Sequence, residues 1–122
     1  MKRDMDLIRL LLLEQEQGEP PAGLSEYPQD VQAYHAALLV EAGLVVGIVD
    51  EGPSGEVAAT IVNRLTWAGH DFLDAARSDT TWNKVKGKVV KSGLSLTFST
   101  LLEVLKFEAH AQLAKQGLLP PE

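Results

Sequence analysis

Apolar residues recur at helical spacing near the start of the chain. Met5, Ile8 and Leu12 are separated by three and four residues, which predicts a helix. Asp4 precedes them, and its carboxylate can accept hydrogen bonds from the free backbone N–H groups of a first turn. Residues 18–25 (GEPPAGLS) then predict a loop, because proline lacks the backbone donor that a continuing helix needs.

A second helix is predicted from Pro28 to Ala42. Proline suits the first helical position, and Gly43 stands where glycine commonly follows a helix end. This helix presents three polar side chains that we predict to be exposed and available to a partner: Gln29, Gln32 and His35.

The pattern then changes to that of a β-hairpin. Residues 44–49 (LVVGIV) are apolar and β-branched, residues 50–55 (DEGPSG) are turn-forming, and residues 56–65 alternate. A two-stranded hairpin is unstable unless helices cover its apolar side. On the covered side we expect Val57, Ala59, Ile61 and Leu65, with Thr60 and Arg64 on the other.

Three more helices are predicted after the hairpin. They cover residues 67–77, a segment capped by Asp79 or Thr80 and stopped by Gly93, and residues 98–115, with Gly117 and Pro120 ending the last helix. Trp67 and Trp82 are predicted core residues near two of the helix starts. The fold class is therefore α+β, mostly helical, with a two-stranded hairpin and C-terminal helices.

The last helix carries two apolar stripes, where a surface helix needs only one. The first stripe consists of Phe98, Leu101, Leu102, Leu105, Ala109 and Leu113, and the second consists of Val104, Phe107, Ala111 and Ala114. Either the helix is buried on two sides within one chain, or the second stripe contacts a partner subunit. We favour a homodimer, the commonest oligomer, and predict a domain over residues 1–93 with a dimerisation element over residues 94–122.

Three segments carry a resemblance to known proteins. A helix ending in EAGLV, a hairpin and then LTWAGHDFL resemble a winged-helix domain, in which a recognition helix leads into a two-stranded wing. A second set of segments consists of MKRDMDLIRLLLLEQE, YHAALLVEAGLV and NRLTWAGHDFLDAARSDTTWNKVKGKV. Together they resemble the bacterial and phage family called domain of unknown function 2513. The resemblance implies a winged-helix-like fold and occurrence on mobile elements, and it carries no activity with it. The chain departs from a full winged helix because only a loop separates its first two helices.

Composition narrows the classes of protein that the chain can belong to. At 122 residues one domain is expected, and the absence of cysteine excludes disulfides and thiolate metal sites. The apolar run Leu10–Leu13 is too short for a signal peptide, and no stretch is long enough to span a bilayer. We therefore expect a cytoplasmic protein.

Charge separates two candidate functions. Residues 1–60 carry a net charge of −8, whereas residues 61–122 carry +2. In DNA binding, the 28–42 helix would enter the major groove, but this helix and residues 50–56 around the wing turn carry five carboxylates and no Lys or Arg, which would repel phosphates. Lys84, Lys88 and Lys91 offer a basic row elsewhere. The favoured alternative is a regulatory or protein-interaction module whose acidic half docks a basic partner.

No catalytic, cofactor-binding or metal-binding residues are predicted. His35, His70 and His110 are far apart in sequence, and none has the spacing of a metal-binding motif. The chain also lacks a nucleophile elbow, a P-loop and a dinucleotide-binding glycine motif. An enzyme is therefore the least favoured class of function.

Overall fold

The computed structural model describes residues 1–117 and confirms a mostly helical α+β fold. Among the described residues are five α-helices and one antiparallel hairpin: α1 (Met5–Gln17), α2 (Gln29–Glu41), β1 (Val45–Glu51), β2 (Val57–Leu65), α3 (Trp67–Ala76), α4 (Asp79–Lys91) and α5 (Phe98–Lys115). A short 3-10 helix, Leu24–Glu26, interrupts the predicted loop between α1 and α2. The predicted helix-ending role of Pro120 lies outside the described residues.

Contacts divide the chain into two compact units. The N-terminal unit is Met1–Leu73 and the C-terminal unit is Asp74–Glu122, so the division falls within α3. The predicted domain boundary between residues 93 and 94 stays a prediction.

In the N-terminal unit, α1 and α2 pack together and against the hairpin. Leu7, Leu12 and Leu39 are buried in this core. Asp4 caps α1 as predicted, because its Oδ1 accepts from the backbone N–H groups of Asp6 and Leu7 at 2.9 and 3.3 Å.

The hairpin confirms the two predicted strands but corrects which side of β2 is covered. The register passes from Val46 opposite Arg64 to Gly47 opposite Val62, which leaves Asn63 as a bulge. An extra residue reverses the alternation of side chains beyond it. Leu65 is buried and Val57 half-buried as expected, whereas Ile61 is 63% exposed and Ala59 is exposed as well.

Thr60 takes the inward place that the prediction gave to its neighbours. Its Oγ1 donates to the backbone carbonyl of Ala33 on α2 at 2.8 Å. Val62, the next residue on the same side of β2, is half-buried. The Thr60 side chain therefore holds β2 against α2.

The start of α3 is fixed by a hydroxyl cap and a close backbone approach. Thr66 Oγ1 donates to the carbonyl of Gly43 at 2.6 Å and accepts from the N–H of Gly69 at 3.1 Å. A Cβ on Gly69 would lie 2.0 Å from the carbonyl oxygen of Leu44, so only glycine fits there. The prediction that Trp67 belongs to the core is wrong: it is the first residue of the helix, points away from the packed side, and is 85% exposed.

In the C-terminal unit, α4 and α5 pack on each other. Buried side chains on these two helices are Trp82, Val85, Val89, Leu101 and Leu105. The cap of α4 is Ser78, whose Oγ accepts from the N–H of Thr81 at 3.2 Å, rather than the predicted Asp79 or Thr80. Asp79 is instead the first residue of the helix, where a carboxylate is favourable.

None of the helices within residues 1–117 has the length and apolar character that crossing a bilayer requires.

Candidate functional site

His35 is part of the N-terminal core, and its side chain is not exposed. Its ring is fully buried, with Nδ1 2.9 Å from the carbonyl of Val31 and Nε2 accepting from the backbone N–H of Asp4 at 2.8 Å. These bonds assign the neutral tautomer that carries its proton on Nδ1. The prediction that His35 is exposed is wrong, because the side chain lies on the packed face of α2 and fixes the start of α1.

Asp4 joins Tyr27 to the same network. The Tyr27 hydroxyl donates to Asp4 Oδ2 at 3.1 Å. Burial, the hydrogen bond to Asp4 and the surrounding carboxylates together raise the pKa of Tyr27 to about 12, and burial has the largest effect. This corner of the unit is therefore structural.

The two glutamines that were predicted as contact residues differ in whether their side chains are already hydrogen-bonded. The amide nitrogen of Gln32 donates to the carbonyls of Leu24 and Tyr27 at 3.1 and 2.9 Å, which holds the loop before α2. Gln29 is exposed in the first turn of α2. Of the three predicted contact residues on α2, Gln29 alone combines exposure with the absence of a described structural role.

A groove of about 410 Å³ opens between α1, α2 and β2. Its lining is Leu11, Glu14, Gln15, Gln29, Asp30, Gln32, Ala33, Ala36, Leu39, Ala58, Ala59, Thr60 and Val62. These residues all belong to the N-terminal unit. Alanines make much of the surface, and Glu14 and Asp30 are the charged residues. Sequence analysis missed this groove, because it is assembled from three elements far apart in the chain.

The groove lies in a strongly acidic part of the chain. From Leu10 to Asn63 there are nine Asp or Glu residues and no Lys or Arg. This absence of cations is the sequence signal from which an acidic surface here could have been predicted.

Two of the three predicted contact lysines are engaged in an ion-pair cluster of the C-terminal unit. Lys84 Nζ lies 2.6 Å from Glu108 Oε1, and Lys88 Nζ lies 2.9 Å from Glu108 Oε2. Lys91 is exposed one turn further along α4. The predicted basic row therefore serves in part to neutralise a buried carboxylate.

The environment of Glu108 has a clear electrostatic signature. Its side chain is almost completely buried, and hydrogen bonds from Lys84 and Lys88 lower its pKa to about 2 against the opposing effect of burial. Sequence analysis did not identify Glu108 as a functional or structural residue. Its spacing from Leu101 and Leu105 on the packed face of α5 was the available signal, because a charge on an apolar face needs a partner.

The second stripe of α5 is only partly covered. Phe107 is 68% exposed, and Val104, Ala111 and Ala114 are half-buried. The structure thus brings the four predicted dimer-contact residues together on one accessible face. Whether a second subunit covers them stays a prediction.

The hairpin adds an exposed apolar surface, and one of its residues, Ile61, was predicted to lie on the covered side. Ile48 and Ile61 are directly opposite each other in the register, and each is 63% exposed. Val46 lies on the same side of β1.

Among residues 1–117, no group of three or more His, Cys, Asp or Glu side chains is arranged to hold a metal ion.

These features define a small α+β protein with an acidic, grooved N-terminal unit and a C-terminal helical pair. The chain belongs to the family described as "Hypothetical protein (DUF2513)", whose model matches residues 2–95, and this confirms the resemblance drawn from the sequence. It is 37% identical over 120 residues to an uncharacterized protein of Haemophilus influenzae (strain ATCC 51907 / DSM 11121 / KW20 / Rd), covering 93% of this chain and 100% of that protein. No solved structure matches the chain.

Proposed function

We propose that the protein is a non-enzymatic, winged-helix-like interaction module of the cytoplasm. Its acidic N-terminal unit docks a basic surface of a protein partner, and the second stripe of α5 joins two copies into a homodimer. The observation that carries the proposal is the groove between α1, α2 and β2, which combines an alanine-rich lining with carboxylates and lacks any Lys or Arg.

Charge supports a basic partner for this unit. Residues 1–73 hold four Lys or Arg and twelve Asp or Glu, a net charge of −8. A field of one sign accelerates the encounter with an oppositely charged partner and disfavours partners of like charge. Such a surface favours lysine-rich or arginine-rich protein segments and repels nucleic acid.

The α5 stripe supports self-association. Val104, Phe107, Ala111 and Ala114 are spaced by three, four and three residues, which is the spacing of a helix–helix seam. A phenylalanine that is exposed at the middle of such a stripe in one subunit is typical of an anchor residue that becomes buried when two subunits associate.

Binding experiments with two opposite probes test the interaction proposal. A fluorescent lysine-rich peptide and a fluorescent 30-base-pair duplex are titrated with the purified protein at 50 and 200 mM salt. We expect the peptide to bind, more weakly at the higher salt, and the duplex to stay unbound. Binding of the duplex with steep salt dependence, together with no binding of the peptide, would overturn the proposal.

That contrary result would support the alternative, a DNA-binding regulator of a phage or mobile element. The order helix, hairpin, helix and the exposed lysine row of α4 favour this alternative. The structure of α2 weakens it, since His35 is buried and Gln32 is engaged by the preceding loop. Repeating the titration with the upstream region of the gene tests sequence-specific binding.

A further inference from the structure

Strand β2 forms one wall of the acidic groove. Ala58, Ala59 and Thr60 all line it. Val62, on the same side of β2 as Thr60, lines it as well, and Ala58 is the extra residue where the register passes from Asp50 opposite Ala59 to Glu51 opposite Val57. Because an extra residue interrupts the alternation of side chains, residues from both sides of β2 border the groove.

The outer edge of β2 has no strand partner in the part of the chain that the structure describes. The sheet contains two strands, and β2 is hydrogen-bonded to β1 on its other side. A free edge presents a row of backbone N–H and C=O groups, which is the template used when an extended peptide adds a strand to a sheet.

The side chains beside the edge leave room for an added backbone. Ala58 and Ala59 on β2 are small and exposed, and Ala33 and Ala36 lie on the facing side of α2. Thr60 already directs its hydroxyl to the carbonyl of Ala33, so this side chain fixes the wall of the groove without closing it.

The charges of the lining define the chemistry of the occupant. Glu14 on α1 and Asp30 on α2 are the charged lining residues, and both are carboxylates. Alternate side chains of an added strand point to the same face, about 7 Å apart. A segment with Lys or Arg at alternate positions can therefore direct its cations to these carboxylates.

We propose that β2 accepts an extended basic segment of a partner protein as a third strand, with the cations of that segment beside Glu14 and Asp30. This inference rests on the proposed docking of a basic partner by the N-terminal unit. It adds the place, the backbone conformation and the side-chain pattern of the bound segment.

The test uses the complete protein and a labelled ten-residue peptide of alternating lysine and valine. We expect a Kd below about 1 mM at low salt. The double variant Glu14→Lys/Asp30→Lys should weaken binding at least tenfold, because two attractions become repulsions. Glu41→Lys is the matched control: this exposed carboxylate on α2 does not line the groove, and its reversal should change binding less than threefold.

Two further measurements report on strand addition itself. When the peptide binds, hydrogen exchange should slow at those amides of residues 58–62 that are not hydrogen-bonded to β1. A peptide of the same sequence with N-methyl groups on alternate residues, which cannot pair with an edge, should bind at least tenfold more weakly.

The outcomes separate the two proposals. Binding that depends on Glu14 and Asp30 but tolerates N-methylation and leaves residues 58–62 unprotected would overturn strand addition and keep the docking of a basic partner. Equal loss of binding in the groove variant and the Glu41→Lys control would overturn the groove as the site. No binding of either peptide at millimolar concentration would overturn both proposals.

Discussion

Neutralising Glu108 should destabilise the C-terminal unit and remove part of its dependence on pH. The variant Glu108→Gln keeps the shape of the side chain and deletes its charge. The amide then faces the ammonium groups of Lys84 and Lys88, which lie 2.6 and 2.9 Å from the two carboxylate oxygens. Both ammonium groups lose the anion that compensates them.

The magnitude follows from the pKa of Glu108. A fall in pKa from the ordinary value of 4.5 to about 2 corresponds to a ceiling of about 3.5 kcal/mol, at about 1.4 kcal/mol for each pH unit. The lysine side chains are 50% and 47% exposed, so water screens the attraction. We therefore expect Glu108→Gln to lower the free energy of unfolding by about 1–2 kcal/mol at pH 7.

The sign of the pH dependence is fixed by the direction of the shift. Because the folded-state pKa lies below the unfolded-state value of 4.5, the stabilisation is complete at neutral pH. It is lost progressively as the pH falls from about 5 towards 2. The wild type should lose this contribution on acidification, whereas Glu108→Gln should lack it at every pH.

Urea unfolding monitored by tryptophan fluorescence measures both effects. The chain has two tryptophans, and replacing the exposed Trp67 by Phe leaves the buried Trp82 of α4 as the reporter. Glu103→Gln, an exposed carboxylate on α5, controls for the loss of one negative charge. Equal stability changes in Glu108→Gln and Glu103→Gln, or parallel pH profiles for wild type and Glu108→Gln, would refute the reasoning.

Three more predictions concern packing, the histidine network and self-association. Gly69→Ala should cost about 2 kcal/mol or more in thermal unfolding, because its Cβ meets the Leu44 carbonyl, whereas Gly87→Ala in the middle of α4 meets open space and should stabilise by up to about 1 kcal/mol. His35→Phe should cost about 2 kcal/mol in urea unfolding, since it removes two buried hydrogen bonds; an unchanged midpoint would contradict the structural role. Phe107→Glu should convert a dimer to a folded monomer in light scattering and circular dichroism, and a monomeric wild type would defeat the proposed interface.

The helices were predictable because their limits depend on local chemistry. Asp4 caps α1 as expected, and Gly43 adopts a φ of 74° just beyond the end of α2. The predicted bounds of α5 coincide with those observed, Phe98–Lys115. Each of these signals lies within a few residues of the feature that it determines.

The errors arose where distant parts of the chain meet. The bulge at Asn63 depends on how β1 pairs with β2, and it turned Ile61 from the expected interior to solvent. His35 follows Val31 by four residues and so shared the apolar face of α2, yet its polarity suggested exposure. Its partners, the N–H of Asp4 and the carbonyl of Val31, became known only with the fold.

The same ion-pair cluster bears on the choice between protein and DNA as partner. If phosphates drew Lys84 and Lys88 away from α5, Glu108 would stay buried without its counterions, and that loss would oppose binding. DNA binding through α4 should therefore become tighter in Glu108→Gln, where no carboxylate competes for the lysines. Docking of a basic peptide in the N-terminal unit should be unaffected by the same substitution. Titrating Glu108→Gln with the duplex and with the lysine-rich peptide thus tests whether the lysines of α4 bind DNA, because the substitution should change the affinity for the duplex and leave that for the peptide unchanged.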